Sequence, residues 1–101
     1  MIIYNVTIKI DWSIQQEWEA WMKEVHIPGI LSGGFFFDPR FVRLLEVSNI
    51  DGPTYAVQYC AYSLKDYSLF LDEQAEIFNN QELARWGSKF IAFSTIMEVV
   101  Q

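Results

Sequence analysis

Residues Ile2–Ile10 read Ile-Ile-Tyr-Asn-Val-Thr-Ile-Lys-Ile, and no other stretch restricts the fold as much. Ile2, Tyr4, Val6, Ile8 and Ile10 fall on one side of an extended chain, and Ile3, Asn5, Thr7 and Lys9 on the other. A strand alternates sides at every residue, so one face is apolar throughout. The β-branched content favours the same geometry. The stretch therefore reads as an interior strand of a small sheet, with the later strands laid beside it. A chain of 101 residues supports one domain, residues 1–101, with one modest core. About half its residues are apolar, and eight Phe, five Tyr and four Trp are many large side chains for such a core. The excess implies burial against a second subunit or around a pocket.

Charge and cysteine content remove several function classes. A formal charge of -6 repels phosphate backbones, and the Lys and Arg residues form no stripe, so nucleic acid is not an expected partner. Cys60, the single cysteine, has no partner for an internal disulfide and cannot build a zinc site alone. This fits a reducing cytoplasm. No uninterrupted apolar segment is long enough to span a membrane, and the first residues lack the basic region and cleavage site of a signal peptide. Carboxylate pairs, phosphate loops and HExxH-type motifs are missing, so neither a metal nor a cofactor is expected.

Further along, Asp11-Trp12 makes a turn. Ser13 is a suitable N-cap, and Gln16 completes a capping box. Ile14, Trp18, Trp21, Met22 and Val25 recur at helical spacing. His26-Ile27-Pro28-Gly29 is expected to end this helix, because the residue before proline is driven away from helical angles. Ser32-Gly33-Gly34 leads into a second strand, Phe35 to Val47, on which Phe35, Phe37, Phe41 and Arg43 share a face. Asp38-Pro39 marks a bulge at a sheet edge, since proline donates no ladder hydrogen bond. Asp51-Gly52 signals a hairpin loop. In the third strand, Thr54 to Tyr62, the small Ala56 and Cys60 are assigned to the helix side, which leaves Tyr55 and Tyr59 on the open side. Ser63 caps a second long helix bearing Leu64, Tyr67, Leu71, Ala75 and Phe78. A break is expected at Asn79-Asn80, then a further turn to Trp86, with Gly87 as C-cap. Lys89 to Val100 is the last strand.

The order β-α-β-β-α-β is the ferredoxin-like arrangement, an α+β fold with a four-stranded antiparallel sheet. Right-handed crossovers place the first and third strands in the centre and both helices on one face. The other face is left open and, on these assignments, apolar and aromatic. Such a patch predicts association, so a homodimer joined through the open sheet face is expected. Charge at Tyr59 is expected to disrupt it more than charge at Glu73.

Several runs carry a resemblance. Met1 to Thr7, Trp18-x-x-Trp21-Met22-Lys23-Glu24-x-His26-Ile27-Pro28, Arg43 to Val47, Tyr55 to Tyr59 and Lys89-Phe90-x-Ala92-Phe93 resemble a family of short bacterial proteins, mostly from Bacteroidetes. It is catalogued as domain-of-unknown-function family 4286. The likeness covers essentially the whole chain and implies no activity. More remotely, the layout is similar to the dimeric α/β barrel superfamily, which includes small monooxygenases, isomerases, haem-handling enzymes and ligand-sensing domains. Fold alone does not choose among these.

Four residues are candidate ligand-binding positions: His26, Arg43, Tyr55 and Tyr59. His26, the only imidazole, suits a general base or a metal or haem ligand, and equally a helix C-terminal cap. Arg43 suits an anionic ligand or an ion pair across an interface, for instance with Glu98. Tyr55, Tyr59 and Tyr4 suit an apolar pocket or a subunit interface. Trp18 and Trp21 fit core packing, and Cys60 a small buried hydrophobe. The expected function is a non-catalytic homodimeric domain that binds a small apolar ligand or a protein partner. The alternative is a small monooxygenase or isomerase of the dimeric α/β barrel type, acting on an apolar or aromatic substrate. A pocket between helix and sheet containing His26 and a tyrosine would favour the alternative.

Overall fold

In the computed structural model, which describes residues 1–101, β1 (Ile2–Ile10) lies inside a four-stranded sheet, as its alternation predicts. β3 (Thr54–Ala61) and β4 (Phe90–Glu98) flank it, and β2 (Phe37–Arg43) forms the far edge. The order is β2-β3-β1-β4 and every pairing is antiparallel. Helical arms join β1 to β2 and β3 to β4, which gives the expected ferredoxin-like α+β arrangement. No helix is long and apolar enough to cross a membrane.

Register decides which side chains meet the helices. Tyr4 pairs with Tyr59, Val6 with Val57, Ile8 with Tyr55 and Ile2 with Ala61. Residues paired across strands share a face, so β3 turns its tyrosines to the apolar side of β1. This corrects the expected assignment: Tyr55 and Tyr59 lie under the helices and are buried, while Ala56 and Cys60 lie on the open side. A charge at Tyr59 would therefore disrupt the core rather than report on an interface.

The first helical arm spans residues 12–32. Asp11, not Ser13, caps it: the Asp11 Oδ1 accepts the Ser13 backbone N–H at 2.8 Å, ahead of a 3₁₀ turn at Trp12–Ile14. α1 (Gln15–Trp21) then passes into a π-helical turn, Met22–His26, and on into α2 (Ile27–Ser32). The expected stop at His26–Gly29 does not occur. Pro28 sits in the first turn of α2, and the widened turn before it accommodates the proline ring and its missing N–H. Trp18, Met22, His26 and Ile30, four residues apart, are all buried. Four residues overshoot an α-helical turn by about 40°. The π turn holds more residues per turn and removes that drift, which brings His26 inward and leaves Val25 exposed.

β2 is shorter than expected. Its bulge falls at Asp38-Pro39 as anticipated, with Asp38 at φ 49° and a register shift between Phe37 and Arg40. The shift reverses the alternation. Phe37 faces the open side opposite Cys60, whereas Phe41 and Arg43 face the helix side opposite Val57 and Tyr55. In the loop that follows, a Cβ on Gly52 would overlap the Ile10 carbonyl oxygen.

The second arm begins as expected, with the Ser63 Oγ accepting the Asp66 N–H at 3.3 Å before α3 (Leu64–Glu73). The break falls at Gln74, and α4 (Ala75–Trp86) runs unbroken through Asn79-Asn80. Two asparagines cost a helix little compared with tertiary packing. At Gln74 the packing decides, because its side-chain amide occupies the space beside Gly33 where a Cβ would stand. Gly87, at φ 58°, ends α4 with its N–H on the Leu83 carbonyl.

The open sheet face is mixed. Ile91 and Phe93 of β4 are 74% and 63% exposed. Asn5 and Thr7 occupy the centre, where the Asn5 amide donates to the Thr7 hydroxyl at 3.1 Å. The face is thus apolar towards β4 and polar in the middle, less uniformly apolar than expected.

Candidate functional site

β1 and β3 bring large rings to the helix side, but β4 brings Ala92 and Ser94, which pair with Ile8 and Val6. Both are small and remain exposed, so α4 does not seal against them. The result is a cavity of about 450 Å³ between the sheet and the second arm, with Ala92, Ser94 and Leu83 at its mouth. Its size is typical of small-molecule sites. Of 20 lining residues 16 are hydrophobic, which makes a ligand that buries mainly carbon the best match.

His26 and Glu82 form the polar end. The π turn directs His26 inward, and Glu82 sits on the inner side of α4 between Phe78 and Trp86. The His26 Nε2 lies 3.3 Å from the Glu82 Oε1, with side chains only 6% and 12% exposed. Trp21 stacks on the imidazole at 4.9 Å and Phe78 meets it edge-on at 5.9 Å. Burial holds His26 down at about 4 and pushes Glu82 up to about 7, so each resists its charged form. A protonated Glu82 beside a neutral imidazole therefore satisfies both groups near pH 5.5. The His26 Nδ1 is buried without a partner.

Three phenols complete the lining. Tyr4 lies between Tyr59 and Tyr67, with ring centroids 5.8 and 5.3 Å away. Burial raises Tyr4 to about 12 and raises Tyr59 as well, and nearby Glu82 adds to both shifts. Tyr4 and Tyr59 are therefore neutral near pH 7, and each phenol hydroxyl can donate or accept a hydrogen bond.

Of the four candidates, His26 and Tyr59 line this cavity, and Tyr55 and Arg43 do not. The Tyr55 hydroxyl donates to Glu19 and accepts from the Gln15 amide at 3.1 Å. Its ring packs on Trp18 at 4.8 Å, an arrangement that ties α1 to the sheet. The exposed Arg43 guanidinium stands 5.6 Å from the Trp12 ring centre. Nowhere do three or more His, Cys, Asp or Glu side chains gather as a metal site would need. Sequence reasoning missed Glu82. Its signal was present: Ala75, Phe78, Glu82 and Trp86 follow at steps of three and four, placing one carboxylate on an apolar stripe.

Comparison with known proteins fits this architecture. The family model described as "Domain of unknown function (DUF4286)" matches residues 1–100. No curated protein sequence matches. Among solved structures, an MhuD variant with two manganese protoporphyrin IX molecules bound per active site is similar at a TM-score of 0.72 and 13% identity, over 100% of this chain and 96% of that one. A dimeric ferredoxin-like protein from an uncultured marine organism is similar at a TM-score of 0.71 and 10% identity, over 99% and 95%. A candidate antibiotic biosynthesis monooxygenase from Nitrosomonas europaea is similar at 0.68 and 10%, over 100% of both chains. Identities this low speak to the fold alone.

Proposed function

The chain belongs to the DUF4286 family, and on the strength of its cavity we propose that it binds one small, mainly apolar molecule between sheet and helices. It does so as a homodimer joined through the open sheet face. The carrying observation is an apolar cavity of about 450 Å³ with a few convergent polar groups, the usual make-up of a small-molecule site. The exposed Ile91 and Phe93, together with the dimeric state of a similar ferredoxin-like protein, support the pairing.

A second reading, catalysis of the small monooxygenase or isomerase type, has one specific observation in its favour. His26 and Tyr59 do meet in a helix–sheet cavity, with Glu82 able to share a proton. A porphyrin suits the residues less well. Its two propionates call for cations, and no Lys or Arg lines the cavity. The His26 Nε2, moreover, already faces Glu82.

Thermal unfolding with small neutral aromatic compounds tests the proposal. They are expected to raise the melting temperature of the wild type and not of Ser94→Trp, which fills the mouth. Equal shifts in both proteins, or none in the wild type, would overturn it.

A further inference from the structure

The cavity's charge is as distinctive as its shape. Glu82 is the only acidic side chain in the lining, and neither Lys nor Arg faces it. Tyr4, Tyr59, Tyr67, Phe70, Phe78 and Phe90 supply aromatic rings, whose faces carry negative potential. Tyr4 sits centrally, with Phe70 at 5.7 Å in addition to its two tyrosine neighbours. The protein's charge of -6 adds a general attraction for positive ligands.

We propose that the cavity takes a small organic cation, an ammonium group carried on an apolar body, with Glu82 as counter-ion and the surrounding rings as its cage. This rests on the ligand-binding reading above and narrows it to a chemical class. His26 does not serve as the counter-ion to Glu82. Its ring is enclosed by Trp21 and Phe78, and protonation would strand a charged Nδ1–H with no acceptor. A ligand cation supplies the missing positive charge in surroundings where a charge pair is screened little.

The groups facing Glu82 set the pH dependence. They are His26 from the first arm, Tyr4 from β1, Tyr59 from β3 and Tyr67 from α3, while β4 contributes no titratable side chain to the lining. His26 is neutral above its lowered value, and Tyr4 and Tyr59 are held neutral by burial. Glu82 is thus the one group that changes charge around pH 7. Affinity for a permanent cation should fall about tenfold for each pH unit below that point and level off above it.

The test uses benzyltrimethylammonium and its uncharged carbon isostere, neopentylbenzene, titrated calorimetrically into the full chain. At pH 8 the cation is expected to bind at least about tenfold tighter than the isostere, with the advantage lost by pH 5.5. Near pH 6.5 its binding should release a proton, seen as a heat that varies with the buffer. Glu82→Gln, a near-isosteric copy of the protonated side chain, should bind the isostere as before and lose the cation preference. Equal affinities at pH 8, or a preference surviving in Glu82→Gln, would overturn the cation inference and leave the ligand-binding reading standing. If neither compound nor any neutral aromatic binds, both fall.

Discussion

His26 and Glu82 are displaced in opposite directions by one cause, burial, and their effects on stability oppose each other. His26 falls from 6.5 to about 4, so its contribution is complete above pH 6.5 and drains away as pH drops towards 4. Glu82 rises from 4.5 to about 7, so its contribution is complete below pH 4.5 and is lost as pH climbs to 7. Between these limits the two slopes cancel, and the pair leaves wild-type stability nearly flat. Removing one partner unmasks the other. Glu82→Gln should lose on the order of 2 kcal/mol on acidification from pH 6.5 to 4, and His26→Gln a similar amount on raising pH from 4.5 to 7. Urea melts at several pH values would show this, and parallel profiles for the two variants would contradict it. His26 stood out in the sequence as the only imidazole, but its inward direction did not, because that depends on one wide turn. Glu82 went unnoticed among thirteen acidic residues, since a single charge on an apolar stripe shows only after the helix phase is known.

β1, β3 and β4 were legible from alternation because a two-residue period tolerates no drift. β2, apolar on both faces, came out shorter and reversed its faces at the bulge. Helix limits were not legible, because packing overrides local preference at Pro28 and at Asn79-Asn80. Two places where elements meet test this view. Trp18 is fully buried between Phe41 and Tyr55, at 5.6 and 4.8 Å, so Trp18→Ala should cost about 3–5 kcal/mol, measured by urea midpoint. A loss below about 1 kcal/mol would mean that α1 is not anchored there. At the turn into β3, Gly52→Ala should destabilise more than Gly34→Ala. Both glycines have positive φ, but a Cβ at Gly34 meets nothing within 4 Å, whereas one at Gly52 strikes the backbone of β1. The reverse ranking would contradict the close approach of that loop.

For the whole molecule, the question is what covers the side of the sheet that the helices leave bare. Composition signalled surplus aromatic surface, yet placed it on the wrong side of β3, because face assignment turns on a register no single strand reveals. Tyr4, Tyr55 and Tyr59 went inward, and Ile91 and Phe93 of β4, with Tyr62 just past β3, are left exposed. Ile91→Glu should convert dimer to monomer in sedimentation velocity, whereas Glu73→Lys, at an exposed position of α3, should not. A monomeric wild type at micromolar concentration would contradict the pairing. By register Ala92 and Ser94 share the helix-side face of β4 and Ile91 and Phe93 the open face, opposite Lys9 and Thr7, and Phe93 borders the cavity as well. On the proposed reading, one ribbon serves as the rim of the binding chamber and as the seam between protomers. Any guest that shifts this ribbon trades free energy with self-association, and by reciprocity dilution of the protein then alters how tightly the guest is held.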